Sequence, residues 1–153
     1  MNQSELLLLS AQGDPQAQYE LGLFYENMKR DLPNAIKWYK AAAEQGHLEA
    51  QSTLGYCYER GLGVDVDFEE AVKWHKKAAE QGLAVAQNNL ARCYEQGNGI
   101  SLDISEAIKW YTMAAEQGSP LPGVQNDLGL FYMTGKGVPV DIEKAVYWFT
   151  KAR

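Results

Sequence analysis

An all-α array of stacked helical hairpins is predicted by three observations: a tyrosine–tryptophan pair written four times, small and apolar residues at helical spacing within each copy, and aspartates and glycines where helices start and stop. Tyr25 precedes Trp38 by 13 residues, and Tyr58, Tyr94 and Tyr132 precede Trp74, Trp110 and Trp148 by 16 each. The tryptophans step by 36 residues twice and then by 38. Self-similarity at that period marks units that cannot bury their apolar faces alone and so stack on one another.

The N-terminal stretch 4–12 ends in Ala11-Gln12-Gly13, the same ending as the later second helices, so Leu6 to Leu9 are predicted to form a half-repeat that covers the first hairpin. Repeats of 13–45, 46–81, 82–117 and 118–153 follow, in one domain spanning 1–153. The second is the cleanest. Its first helix, A, runs from Gly46-His47-Leu48 through Ala50, Leu54 and Tyr58, a stripe at i, i+4 and i+8, and stops at Gly61-Leu62-Gly63. Gly55, beside Leu54, is expected to let another backbone approach. Asp67 caps the second helix, B, with Glu70 predicted as the reciprocal partner of a capping box. Ala71, Trp74 and Ala78 carry helix B to Glu80-Gln81-Gly82, where glycine suits the left-handed position after a helix.

The third copy repeats this with Asp103, Glu106, Ala107, Trp110, Ala114 and Gly118; the fourth has Asp141, Ala145, Trp148 and Ala152, with Lys144 in place of the capping-box acid. Three departures carry expectations. Asn27 to Asp31 lacks the glycine pair and is three residues short, which requires a tighter turn in the first copy. Ala91 replaces the helix-A glycine of the third copy and is expected to push its neighbour outward. Ser119-Pro120-Leu121-Pro122-Gly123 adds two residues and two prolines before the fourth copy, predicting a delayed helix and a kink.

Ala50, Leu54, Gly55, Tyr58, Gly61, Gly63, Val64, Ala71, Trp74, Ala78, Ala79 and Gly82, recurring over 13–153, resemble the SEL-one-like repeat, a relative of the tetratricopeptide repeat found in bacteria and eukaryotes. The resemblance implies a right-handed α–α superhelix, a solenoid of about four helix–turn–helix repeats, with the A helices lining a concave surface and a role as an adaptor in protein complexes.

The net charge of −6, from 20 acidic and 14 basic residues without a basic run, argues against a nucleic-acid or anionic-membrane partner. The sequence shows neither a signal-peptide pattern nor a membrane span, which predicts a cytoplasmic protein. Cys57 and Cys93, 36 apart, occupy one slot of successive copies, too far apart for a disulfide between helices packed about 8–10 Å from one another, and read as reduced core thiols.

No catalytic residue, cofactor or metal site is predicted. The glycine pairs Gly61/Gly63, Gly97/Gly99 and Gly135/Gly137 recur with the repeat, each before an aspartate that occupies the place an anion would take, and read as structural turns. His47 and His75 stand in unrelated repeat positions. A branch of the resembled family is described as β-lactam binding or hydrolysing, but its paired cysteines are missing, and no serine is followed three residues later by lysine.

Function is therefore sought where the copies differ. On each helix A, the positions at −5, −2, +2 and +5 from the stripe leucine change chemistry from copy to copy. In the related tetratricopeptide repeats this face binds peptides, which designates Tyr19, Leu23, Glu26, Ser52, Tyr56, Glu59, Asn88, Arg92, Glu95, Asn126, Leu130 and Met133 as partner-binding residues. Leu23, Tyr56, Arg92 and Leu130 would form the row of anchors, and Glu26, Glu59 and Glu95 an acidic border favouring a basic peptide. The expected function is a non-catalytic adaptor. The alternatives are a homo-oligomeric scaffold assembled through Val146, Tyr147 and Phe149 of the last helix, or a protein that binds cell-wall fragments or β-lactams.

Overall fold

The computed structural model describes residues 1–118 and 123–153; the expected kink at Ser119–Pro122 lies outside the described residues. Among the described residues the chain is all-α, with nine α-helices, one π-helical turn and no strand. None of these helices is long and apolar enough to cross a membrane. The chain divides between Gln81 and Gly82, at a repeat boundary, into two compact units.

The first unit holds α1 (Gln3–Ala11), α2 (Pro15–Phe24), α3 (Leu32–Glu44), α4 (Leu48–Arg60) and α5 (Phe68–Glu80). α1 spans the segment read as a half-repeat, and its Leu6 is buried against Ala17 and Leu21 of α2, with Leu9, Phe24 and Trp38 around them. α2–α3 and α4–α5 are the first two hairpins, sharing a core of alanines with Tyr39, Leu54, Cys57 and Trp74. The second unit holds α6 (Ala84–Gln96), α7 (Ile104–Glu116), α8 (Val124–Thr134) and α9 (Ile142–Lys151). Its core gathers Ala91, Ile108, Tyr111, Leu128, Phe131 and Trp148.

Every helix B starts on an aspartate whose carboxylate accepts the N–H three residues on: Asp31 from Asn34, Asp67 from Glu70, Asp103 from Glu106 and Asp141 from Lys144. The predicted reciprocal capping box does not form. The carboxylates of Glu70 and Glu106 turn forward instead to Lys73 (3.3 Å) and Lys109 (2.7 Å), because a cation three residues on competes with the backbone N–H behind. The backbone N–H of each of these aspartates also donates to the carbonyl of the repeat tyrosine: Asp31 to Tyr25, Asp67 to Tyr58, Asp103 to Tyr94 and Asp141 to Tyr132, at 2.8–2.9 Å.

The first copy reaches that bond with three residues fewer. Its helix widens into a π turn over Tyr25–Lys29, and Arg30 then takes a left-handed φ of 56°, the non-glycine exception among the described turns. In the other copies the glycine pair makes the reversal. Gly63 is held there for a second reason: a Cβ on it would lie 2.8 Å from the carbonyl oxygen of Leu32, at the start of the preceding helix B. Gly137 meets Ile104 in the same way. These turns thus also pack against the preceding helix B, a contact that the reading of the glycine pairs as structural turns does not include.

Candidate functional site

In the first, second and fourth copies helix A meets its helix B through a ring resting on a helix glycine. A Cβ on Gly22 would come within 2.5 Å of the Tyr39 ring, on Gly55 within 2.7 Å of His75, and on Gly129 within 2.6 Å of Phe149. At Gly55 the expected backbone approach is replaced by that of a ring, the side chain that follows the tryptophan, because the two helices cross at a distance that the ring fills. In the third copy Ala91 occupies the glycine place, and Tyr111 is 6% exposed where Tyr39 is fully buried.

The acids named as a border of the groove lie at these same joints. The Tyr39 hydroxyl donates a short hydrogen bond to Glu26, and Tyr111 donates to Glu95 at 2.8 Å. In the second copy His75 Nε2 faces Glu59 at 3.4 Å, with the His75 side chain fully buried and that of Glu59 9% exposed. In the fourth the two positions are Phe149 and Met133. A polar ring thus accompanies an acid in three copies, and an apolar ring accompanies an apolar partner in the last. That covariation between copies was the available sequence signal for the pairing. Burial, then the adjacent carboxylate, pushes the ionisation of Tyr39 and Tyr111 well above the usual tyrosine range.

The remaining designated residues separate by burial. In the first unit Tyr19 and Leu23 are half-buried against the core, and the Tyr19 ring lies tilted against those of His47 and Tyr39, with centroids 4.7 Å and 5.6 Å away. Ser52 is buried, whereas Tyr56 is 44% exposed with Arg60 over its ring. His47 caps α4: its Nδ1 accepts from the Ala50 N–H, so Nε2 carries the proton and donates to Gln16 Oε1 at 2.9 Å. In the second unit Asn88 is buried, Arg92 half-buried, and Asn126, Leu130 and Met133 exposed.

Glu95 and Leu130 line one cavity of about 220 Å³ together with Asp127, Phe131, Thr134 and Lys136. Partial burial, then the neighbouring Glu95, raises the ionisation of Asp127 above the usual carboxylate range. On α9, Val146 and Tyr147 are exposed, but Phe149 lies against Gly129. Ala115, Glu116, Gly118, Gln125, Tyr147, Trp148 and Lys151 surround a further cavity of about 280 Å³.

Sequence reasoning missed a glutamine chain. Gln18 and Gln51 of the A helices are buried; each donates to a carbonyl at the end of the preceding B-type helix, Ser10 or Ala43. Each also accepts from the glutamine that ends its own helix B: Gln18 from Gln45 at 2.7 Å and Gln51 from Gln81 at 3.3 Å. In the second unit Gln117 donates to the buried Gln87 at 2.8 Å. The recurrence of these two glutamine columns was legible, but their meeting across some 30 residues was not.

Cys57 and Cys93 are buried thiols, and burial together with Glu26 pushes Cys57 up to about 12. Among the described residues no three His, Cys, Asp or Glu side chains come close enough to hold a metal ion.

The Sel1 repeat model matches residues 15–47, 48–83, 84–119 and 122–153. The chain is 40% identical to a protective antigen present in uropathogenic Escherichia coli strains, whose crystal structure displays an SLR fold, over 99% of this chain and 33% of that one, with a TM-score of 0.91. It is 35% identical to a Sel1 repeat protein from Oxalobacter formigenes, over 96% of this chain and 61% of that one, with a TM-score of 0.87. The chain thus spans less than two thirds of either relative. No curated protein matches it.

Proposed function

Because the chain belongs to the Sel1 repeat family, we propose that it is a non-catalytic adaptor that holds a segment of a partner protein against the faces of its A helices. The observation that carries this reading is the contrast between columns. The alanines, leucines, rings and glutamines that join the helices recur from copy to copy, whereas the exposed A-helix positions change, with Tyr56, Leu130 and Met133 each 44–46% exposed. Residues free of packing duty and rich in contact area are where specificity is built. In the second unit the cavity beside Leu130 gives a partner side chain a place to enter, and there Asp127 and Glu95, the latter held by Tyr111, set two carboxylates against one cation, Lys136, a balance that favours a basic group.

Affinity purification with the double variant Tyr56→Ala/Leu130→Ala tests the proposal. Both side chains are exposed, so the fold is retained, and partner recovery is expected to fall about tenfold or more, as for interface anchors worth above 1.4 kcal/mol. Undiminished recovery of every partner overturns it.

Exposure of Val146 and Tyr147 beside the cavity at Gln125 favours a second reading, a scaffold of several copies joined through α9. Sedimentation over a concentration series separates the two: a monomer at every concentration removes the scaffold reading.

A further inference from the structure

The second unit carries another groove, of about 480 Å³, formed by Ser105, Ile108, Lys109, Thr112 and Met113 of α7 with Tyr132 of α8 and Val138 of the turn beyond it. It lies on the helix-B side, apart from the A-helix positions already discussed. Its bed is apolar, and Met113 is 45% exposed. The corresponding position holds Ala41, Lys77 and Lys151 in the other copies, and the position before it holds Lys40, Lys76 and Thr150. The third copy has thus replaced the lysine-bearing pair with Thr112-Met113 and opened an apolar surface there.

Thr112 behaves unlike its counterpart. Thr150 donates to the Val146 carbonyl one turn back at 2.8 Å, and Thr134 does the same to Leu130. The Thr112 hydroxyl makes no such bond and is shielded from water. An unmatched hydroxyl in that setting is unfavourable, a cost relieved if rotation of the side chain meets a polar group of something lying in the groove.

Charge limits what that occupant is. No carboxylate lines the groove, although the chain as a whole is acidic. Lys109 lines the groove, paired with Glu106 at 2.7 Å and under the weaker influence of Asp103, and the Lys144 amine lies over the ring of Tyr132, another lining residue, at 5.2 Å. Two exposed cations beside an apolar bed match an apolar segment with acidic flanks, and repel a basic one.

We propose that this groove is a second docking surface, for an apolar segment of a partner protein that carries acidic side chains. Fluorescence anisotropy with short labelled peptides tests it on the whole chain. The probes are one peptide of leucine and glutamate and a second of leucine and lysine. The leucine–glutamate peptide is expected to bind about tenfold tighter than its lysine counterpart, a margin that shrinks as salt rises. Met113→Glu, on an exposed side chain, is expected to weaken that binding about tenfold without changing the melting temperature, and Lys144→Ala by a smaller factor.

Tyr56→Ala/Leu130→Ala is expected to leave the peptide affinity unchanged, so loss of the adaptor face and loss of this groove read out separately. Equal binding of the two peptides overturns the proposal, as does full affinity in Met113→Glu. Concentration-dependent self-association that Met113→Glu abolishes also overturns it, since the groove would then belong to a second copy.

Discussion

The α2–α3 and α8–α9 joints occupy the same place in their repeats and are held differently. In both, an aromatic ring lies on a helix glycine closely enough that a Cβ would overlap it, Tyr39 on Gly22 and Phe149 on Gly129. In the first, the ring also ends in a hydroxyl bonded to Glu26; in the last, Phe149 has no polar end and its companion Met133 is exposed. The ring-on-glycine contact is therefore shared by three of the four joints, and a hydroxyl–carboxylate latch is added in the first and third copies, where a tyrosine faces a glutamate. The contrast has a functional side. Where the latch exists, the A-helix acid is tied to the core and is less available to a partner; where it is absent, the same position presents a methionine.

The largest effect is expected from filling the glycine. Gly22→Ala sets a methyl group into the Tyr39 ring, and urea unfolding is expected to show a loss near the upper end of the usual overpacking range of about 1–3 kcal/mol. The third copy supplies the reverse experiment. Ala91→Gly restores the glycine under Tyr111, so the ring can settle, but a helix-interior glycine costs about 0.5–1 kcal/mol, and the net change is expected to be a small loss. A loss as large as that of Gly22→Ala would mean that the spacing is not set by the ring.

Next in size is the latch. Tyr39→Phe leaves Glu26 without its donor and is expected to cost about 1–2 kcal/mol, whereas Phe149→Tyr adds a hydroxyl with no acid at the paired position and is expected to bring no gain. Alkaline titration probes the same core. The folded state holds Cys57 up near 12 from an ordinary 9.0, so its thiol favours folding fully below pH 9 and that contribution is lost as pH rises from 9 towards 12. Tyr39 and Tyr111, also raised, lose theirs from about pH 10 upward, and stability measured by urea unfolding is expected to fall steadily over that range. A flat profile between pH 9 and 11 would contradict the burial of these groups.

How much of this was legible follows from the range of each interaction. The repeat period, the stripe at Ala50 and Leu54, the aspartate caps and the glycine turns are local patterns of one chain segment, and the helices form where those patterns place them. The capping box failed at Glu70 and Glu106 because Lys73 and Lys109, equally local, compete for the same carboxylates. Helix periodicity and the resemblance to the tetratricopeptide groove together designate Glu26, Glu59 and Glu95 as a border, and neither shows what those acids touch. Their partners Tyr39, His75 and Tyr111 are 13 to 16 residues away on the next helix, and only the packing of ring on glycine brings them together. The π turn at Tyr25–Lys29 was legible as a shortage of residues, not as the way the backbone resolves it.

The smallest effect tests the glutamine chain, again by comparing the two ends. Gln45, Gln81 and Gln117 each close on an A-helix glutamine, 30 positions separating Gln51 from Gln81 and Gln87 from Gln117, whereas Gln125 lines a cavity of about 280 Å³. Appending Glu-Gln-Gly after Arg153 would place an amide at that spacing. One net hydrogen bond contributes about 0.5–1.5 kcal/mol, so a rise of that order in unfolding free energy is expected, and appending Glu-Ala-Gly is expected to give none of it. Equal stabilisation by the two tails would show that the added helix turn alone acts. Silence from both would mean that the Gln125 cavity does not reproduce the seats at Gln18, Gln51 and Gln87, and that the last hairpin closes by a different rule.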